Sequence, residues 1–277
     1  MIGDEKKTHS GVNVKKKMPD SARSHASARR AMSTPLGRRV ENEGNMSLEQ
    51  KLRPRGVAEW TAVFAAAALG VSVPLRIFDA TVLFTYHPTA MSLSFGALMP
   101  LGAFVALKSR TMGLGPERLR LMWTHAALQT FAAALAFGGL VAIYVNKNIM
   151  NKPHFATAHA RLGVAAATLT LLSILLGALN FKTLGLLHHV PEQHRAAVKS
   201  FHRKCGAGAV LAGAACIATA IDHPAVAAFA GRETRTAWFA LLAAGAAGMA
   251  RVATRTTDHR GVKESIKVEM GKRARHT

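Results

Sequence analysis

Charge is what the long apolar stretches of this chain lack. Six runs, at about 57–75, 87–107, 121–145, 156–179, 202–221 and 236–253, carry almost no acidic or basic side chain. Each is close to the ~20 residues that cross a hydrocarbon core. A soluble helical bundle needs a charge every few residues along its outer faces, so these runs exclude one. Aromatic residues are also few, at 6%, and acidic residues are outnumbered, 15 Asp and Glu against 36 Lys and Arg. Cysteine is limited to Cys205 and Cys216, both in the fifth run. Along one helix they stand roughly 16 Å apart, too far to form a disulfide with each other, and they read as small packing residues.

What is present in excess is positive charge, and its placement matters more than its total of +21. Of the 36 Lys and Arg, 30 fall before the first run, in the loops at 108–120 and 180–204, or from Arg251 onward. Only Arg76, Lys147, Lys152, Arg161, Arg232 and Arg235 fall on the opposite side. This asymmetry is the positive-inside pattern, so both termini are expected in the cytoplasm and no nucleic-acid partner is implied. Trp60 and Trp123 are then expected at the inner interface, with Tyr86, Tyr144 and Trp238 at the outer one.

Residues 1–56 have no apolar periodicity and are rich in Lys, Arg, Ser and His, the composition of a disordered cytoplasmic tail. They are too polar for a secretory signal, although the acid-free stretch 21–40 has some likeness to an organellar transit peptide. Such a tail also suits an anionic lipid surface. Residues 57–253 form the membrane domain and 254–277 a second basic cytoplasmic tail. Which membrane holds the protein is open, with endomembrane or plasma membrane favoured over an organelle. His188, His189 and His194 share a basic loop, where solvation is a simpler reading than a metal site.

Four histidines stand near the starts of four successive runs: His87, His125, His159 and His202. Ionisable residues inside membrane helices are costly and mark function. Because successive helices run in opposite directions, His87 and His159 fall at the outer level and His125 and His202 at the inner one. Each pair skips one helix, which in a four-helix bundle places its members on a diagonal. Two facing imidazoles make a poor zinc site, which wants four ligands. They suit a haem iron, which needs two axial ligands. The expectation is an all-α membrane protein of six transmembrane helices with a four-helix di-haem core, helices two to five, its irons roughly 20 Å apart. A proton-coupled or metal-ion transporter using the same histidines is the alternative.

Several segments carry a resemblance when taken in order. They are H-P-x-x-M-S-L from His87, R-x-x-W-x-H-x-x-L-Q ending at Gln129, N-K after Tyr144, H-F-x-x-x-H-x-R-x-G from His154, and F-H-R-x-x-G from Phe201. Over roughly residues 57–253 the chain resembles the cytochrome b561 transmembrane reductases, in particular their shorter domain-containing branch. The resemblance implies two b-type haems on the four histidines and electron flow from cytoplasmic ascorbate to monodehydroascorbate or a ferric chelate outside. It also implies a capacity to form homodimers, for which no interface is legible in the sequence.

An anionic donor calls for cations near the inner haem, and Lys108, Arg110, Arg118, Arg120, Lys199 and Arg203 are the candidates, each equally explained by the positive-inside pattern. On the cation-poor outer face the candidates are Lys147, Lys152, His154 and Arg161. Arg161, two residues past His159, is placed to pair with a haem propionate or to snorkel to the interface. Lys147 and His154 would receive the acceptor.

Overall fold

The computed structural model describes residues 56–112, 115–181 and 184–275, of which 257–275 as backbone only. The basic tail expected before the first run, with its stretch at 21–40, lies outside them. Among the described residues there is no strand. Six helices are long and apolar enough to cross a membrane: α1 (Val57–Ile77), α2 (Leu83–Thr111), α3 (Pro116–Ile149), α4 (Ala158–Asn180), α5 (Glu192–Ile221) and α6 (Arg232–Arg275), the last over Arg232–Thr256. A short 3₁₀ turn, Leu186–His189, precedes α5, and a single helical turn, Pro224–Ala227, follows it.

Burial is inverted relative to a soluble bundle. Phe137 and Leu211 are about 70% exposed, while Ala132 and Ala166 are almost fully enclosed. Lipid is as apolar as leucine, so helices gain little by hiding large side chains from it and associate through small residues that let backbones approach. The α4–α5 contact shows this, with Gly163 against the Cys216 thiol, Gly206 against Ser173 and Gly208 against Leu169. The helices α2, α3, α4 and α5 pack in a ring, each on the next, and α5 returns to the middle of α2. Thus α2 faces α4 across the bundle and α3 faces α5.

Outside this ring, α1 packs against α2, and α6 against α1. Gly70 of α1 meets Ala97, and Gly248 of α6 meets the backbone of Ala58 and Ala62. Trp238 was expected at the outer interface. Instead it is 2% exposed in the cluster of Leu69, Val73, Ile77 and Ile221, with its indole N–H donating to Ser72 Oγ. A buried indole needs such a partner, and a serine on α1 supplies it. Trp60, Trp123, Tyr86 and Tyr144 are exposed.

The second helix is not uniform. It is α-helical over Leu83–Met91, π-helical over Ser92–Leu98 and α-helical again from Met99. Pro100 accounts for the change. Without an N–H it cannot bond the carbonyl of Gly96, and its ring would crowd that carbonyl in a regular α-turn. Wider turns relieve the crowding, and the Met99 N–H reaches back five residues to Ser94 O. Before α2, the Thr81 hydroxyl and N–H both donate to the Asp79 carboxylate, which holds Asp79 below the usual carboxylate range.

Candidate functional site

The four histidines come together as two pairs across the bundle. His87 on α2 and His159 on α4 have ring centres 6.1 Å apart with their planes at 87°. His125 on α3 and His202 on α5 have ring centres 6.3 Å apart at 81°.

Each imidazole is held from behind by a neighbouring helix. His87 Nδ1 lies 3.0 Å from Gly139 O on α3, and His125 Nδ1 lies 2.9 Å from Gly102 O on α2. In the other half, His159 Nδ1 lies 3.1 Å from Cys216 O on α5, and His202 Nδ1 lies 3.0 Å from Ser173 O on α4. The bonds are therefore reciprocal within the α2–α3 hairpin and within the α4–α5 hairpin. A carbonyl only accepts, so Nδ1 must donate. In the neutral ring this leaves the lone pair on Nε2, the arrangement by which a second-shell acceptor orients a metal-binding histidine.

Helix geometry explains why one pattern serves four times. Ser173 follows His159 by 14 residues, Cys216 follows His202 by 14, and Gly139 follows His125 by 14. Fourteen residues make about 3.9 turns and about 21 Å, so a histidine and the carbonyl that serves its neighbour share one face at the two ends of the bundle. In α2 the interval from His87 to Gly102 is 15. A π turn absorbs one extra residue, and the π segment lies between these two positions. The interval is longer by one, and the register is kept.

The spacing within each pair can be tested against a metal. Taking a metal–imidazole nitrogen bond of about 2 Å, as for zinc, two imidazoles on opposite sides of one ion put their ring centres roughly 6.3 Å apart. The observed 6.1 and 6.3 Å match. Among the described residues no group of three or more His, Cys, Asp or Glu is placed to hold a metal, so His188, His189 and His194 do not converge as one. Gly177, one turn past Ser173, makes room for the second pair: a Cβ there would stand 3.2 Å from His202 Cε1.

Residues 86–227, about half the chain and the stretch that contains all four histidines, match the family model described as eukaryotic cytochrome b561. The chain belongs to the cytochrome b561 family. Its relatives include the transmembrane reductase CYB561D2 of Bos taurus, 30% identical over 163 residues, which are 56% of this chain and 71% of the relative. The transmembrane reductase CYB561D2 of Homo sapiens is 30% identical over 165 residues, 57% of this chain and 71% of the relative. Membership in the cytochrome b561 family carries with it b-type haem and transmembrane electron transfer.

The cationic candidates are dispersed. At the His125–His202 end of the bundle, Lys108 is 7% exposed and forms an ion pair with Glu59 of α1, its ammonium 5.4 Å from the centre of the Phe104 ring. Arg110, Arg120, Lys199 and Arg203 are exposed and Arg118 is half-buried. At the other end the α3–α4 loop folds on itself. His154 stacks on Tyr144 with ring centres 4.5 Å apart and donates from Nε2 to Asn148 Oδ1 at 2.8 Å. The Lys147 ammonium donates to Pro153 O, and Lys152 and Arg161 are exposed. The loop places two non-glycine residues at positive φ, Asn151 at 49° and Phe155 at 56°. Phenylalanine rarely adopts this conformation, so the loop holds it there under strain.

Three residues lie beside His159 that its sequence context did not place there. Thr219 Oγ1 lies 3.3 Å and Cys216 Sγ 3.4 Å from its Nδ1, and the His223 ring centre lies 6.4 Å from its own. His223 caps the turn at Pro224, its Nδ1 accepting from the Ala225 N–H. For Cys216 the signal was its spacing of 14 from His202; for Thr219 and His223 the sequence offers none.

Proposed function

We propose that this protein carries electrons across a membrane through two b-type haems, one held by His87 and His159, the other by His125 and His202. The observation that carries the reading is the reciprocal set of Nδ1–carbonyl bonds, which leaves the Nε2 lone pair free on four imidazoles grouped in two pairs whose ring centres stand at the spacing of a bis-imidazole metal. A haem held by either histidine pair would supply a one-electron ferric–ferrous couple. The protein's own work is to fix the ligands before and after transfer. Each imidazole is anchored through a backbone carbonyl of a rigid helix, so little rearrangement accompanies a change of charge.

Loop charge supports the sidedness. The end with Arg110, Arg118, Arg120, Lys199 and Arg203 is the cytoplasmic one by the positive-inside rule, and these side chains would attract ascorbate, an anion. Lys108, committed to Glu59, contributes charge to that ion pair rather than to the rim. On the opposite side Lys147, Lys152, His154 and Arg161 frame the level of His87 and His159, where monodehydroascorbate or a ferric chelate would take the electron. The activity is then that of an ascorbate-dependent transmembrane oxidoreductase with both termini in the cytoplasm and lipid around the exposed apolar faces; a homodimer is compatible with it.

An absorption spectrum of the purified protein before and after ascorbate tests the reading. A b-type spectrum that ascorbate reduces, with two components, supports it. A spectrum without reducible haem would overturn it and leave the transporter as the better account of the histidines. Arg161 has no side-chain partner among the described residues and sits two positions beyond His159. Removing its charge in Arg161→Gln should lower the outer midpoint potential by on the order of 30–60 mV, equivalent to roughly 0.7–1.4 kcal/mol for one electron. Redox titration of both components checks this, and an unchanged outer potential would assign Arg161 to the membrane interface alone.

A further inference from the structure

Halfway between the two histidine levels the bundle has one conspicuous side chain. Ala132 stands seven residues from both His125 and Gly139, Ala166 seven from both His159 and Ser173, and Ala209 seven from both His202 and Cys216. These three alanines are 0%, 1% and 3% exposed. Seven residues are close to two turns, so they share a layer and face the axis as the histidines do. On α2 the corresponding residue is Phe95, seven before Gly102 and eight after His87, inside the π segment.

Phe95 is buried in one cluster with Met99, Ala132, Ala136 and Ala166, in which it is the sole aromatic residue among the described residues. Its ring lies directly over Gly213 of α5, where a Cβ would overlap it. The flanking residues of the π segment point elsewhere. Ser94 Oγ donates to Ala132 O on α3, Gly96 lies against Leu69 and Ala97 against Gly70 of α1. The added residue thus lets the side chains of Ser94, Phe95 and Ala97 reach three different helices while the register to Gly102 is preserved.

We infer that Phe95 is a dry spacer on the bundle axis, positioned by the one-residue π insertion, through which an electron passes between the two centres. The inference rests on the two-haem reading above. The step moves one electron from ferrous iron at the His125–His202 level to ferric iron at the His87–His159 level, with no atom transferred; ascorbate is the reductant at one end and a ferric chelate the oxidant at the other. Tunnelling falls steeply where packed atoms give way to a void or to water. Three alanines and a glycine cannot fill this layer alone, and the Phe95 ring closes it.

The test uses the full-length haem-loaded protein and follows reduction by ascorbate in a stopped flow, where the inner component reduces first and the outer second. In Phe95→Ala the second phase should slow by roughly tenfold, because the void left behind loses its packing contacts on every side. In Phe95→Leu, which keeps most of the volume, it should stay within about twofold. The first phase, both midpoint potentials and the low-spin EPR signals of both components should not change in either variant. If Phe95→Ala fails to load both haems, Phe95→Val takes its place with an intermediate slowing expected. A second phase at the wild-type rate in the smallest loaded variant, or slowing that comes with shifted potentials, would overturn the inference. Loss of the two-component spectrum in the wild type itself would instead sink the functional reading, so the two failures are distinct.

Discussion

Alanine at His125 or at His202 is expected to remove the same single haem, the one nearer the cytoplasm, and with it reduction by ascorbate from that side. Alanine at His87 or His159 should remove the other haem, leaving the first phase of reduction and stopping delivery to an external acceptor. The grouping follows from the pairs, since each substitution would leave one proposed haem with a single histidine ligand while the other pair stays whole. A structural histidine would not sort in this way. Haem content by pyridine haemochrome, read with the two-component spectrum, should show about half the haem in each of the four variants. Loss of one and the same component in all four would refute the pairing.

A change that touches no ligand should have nearly as large an effect. Gly177→Val places two methyl groups where even a Cβ would stand 3.2 Å from His202 Cε1. The His202 ring cannot retreat without giving up its bond to Ser173 O. A β-branched side chain in a helix has one preferred rotamer and cannot swing clear. The expected outcome is loss of the component held by His125 and His202, with the His87–His159 component retained at its normal potential. Gly177→Ala should give a partial loss. Equal damage to both components would mean that the substitution breaks the α4–α5 packing as a whole.

The six helices were legible because lipid demands uninterrupted apolar runs, and the ring of four because histidine occurs once near the start of each. Alternating helix direction alone separates the histidines into two depths. The carbonyls behind the imidazoles were not legible, since every residue has one and only helix register decides which it is. Knowing the register makes the interval of 14 visible in three helices, and the 15 in α2 then marks the π insertion, for which Pro100 is the local cause. Lys108 stood among the donor-binding candidates because sequence gives its charge and not its partner; Glu59, on a different helix, takes that charge inside the bundle. Trp238 was placed at the interface by residue type, whereas Ser72 and the narrow α1–α6 contact draw it inward. Cys216 read as mere packing, and its backbone carbonyl proves to be the part that matters to His159.

The two hairpins also have a bearing on how the protein is made. Each hairpin satisfies its own imidazole Nδ1 groups, so α2–α3 can set His87 and His125 before α4 and α5 have left the ribosome. Each histidine pair, however, draws one member from each hairpin. On the proposed ligation, neither haem would be clasped until the second hairpin is in the membrane, and each, once seated, would rivet one hairpin to the other at its own depth. The cofactors would be late fasteners of the bundle as well as its conductors, and cells starved of haem should accumulate a chain whose hairpins are formed but not locked together.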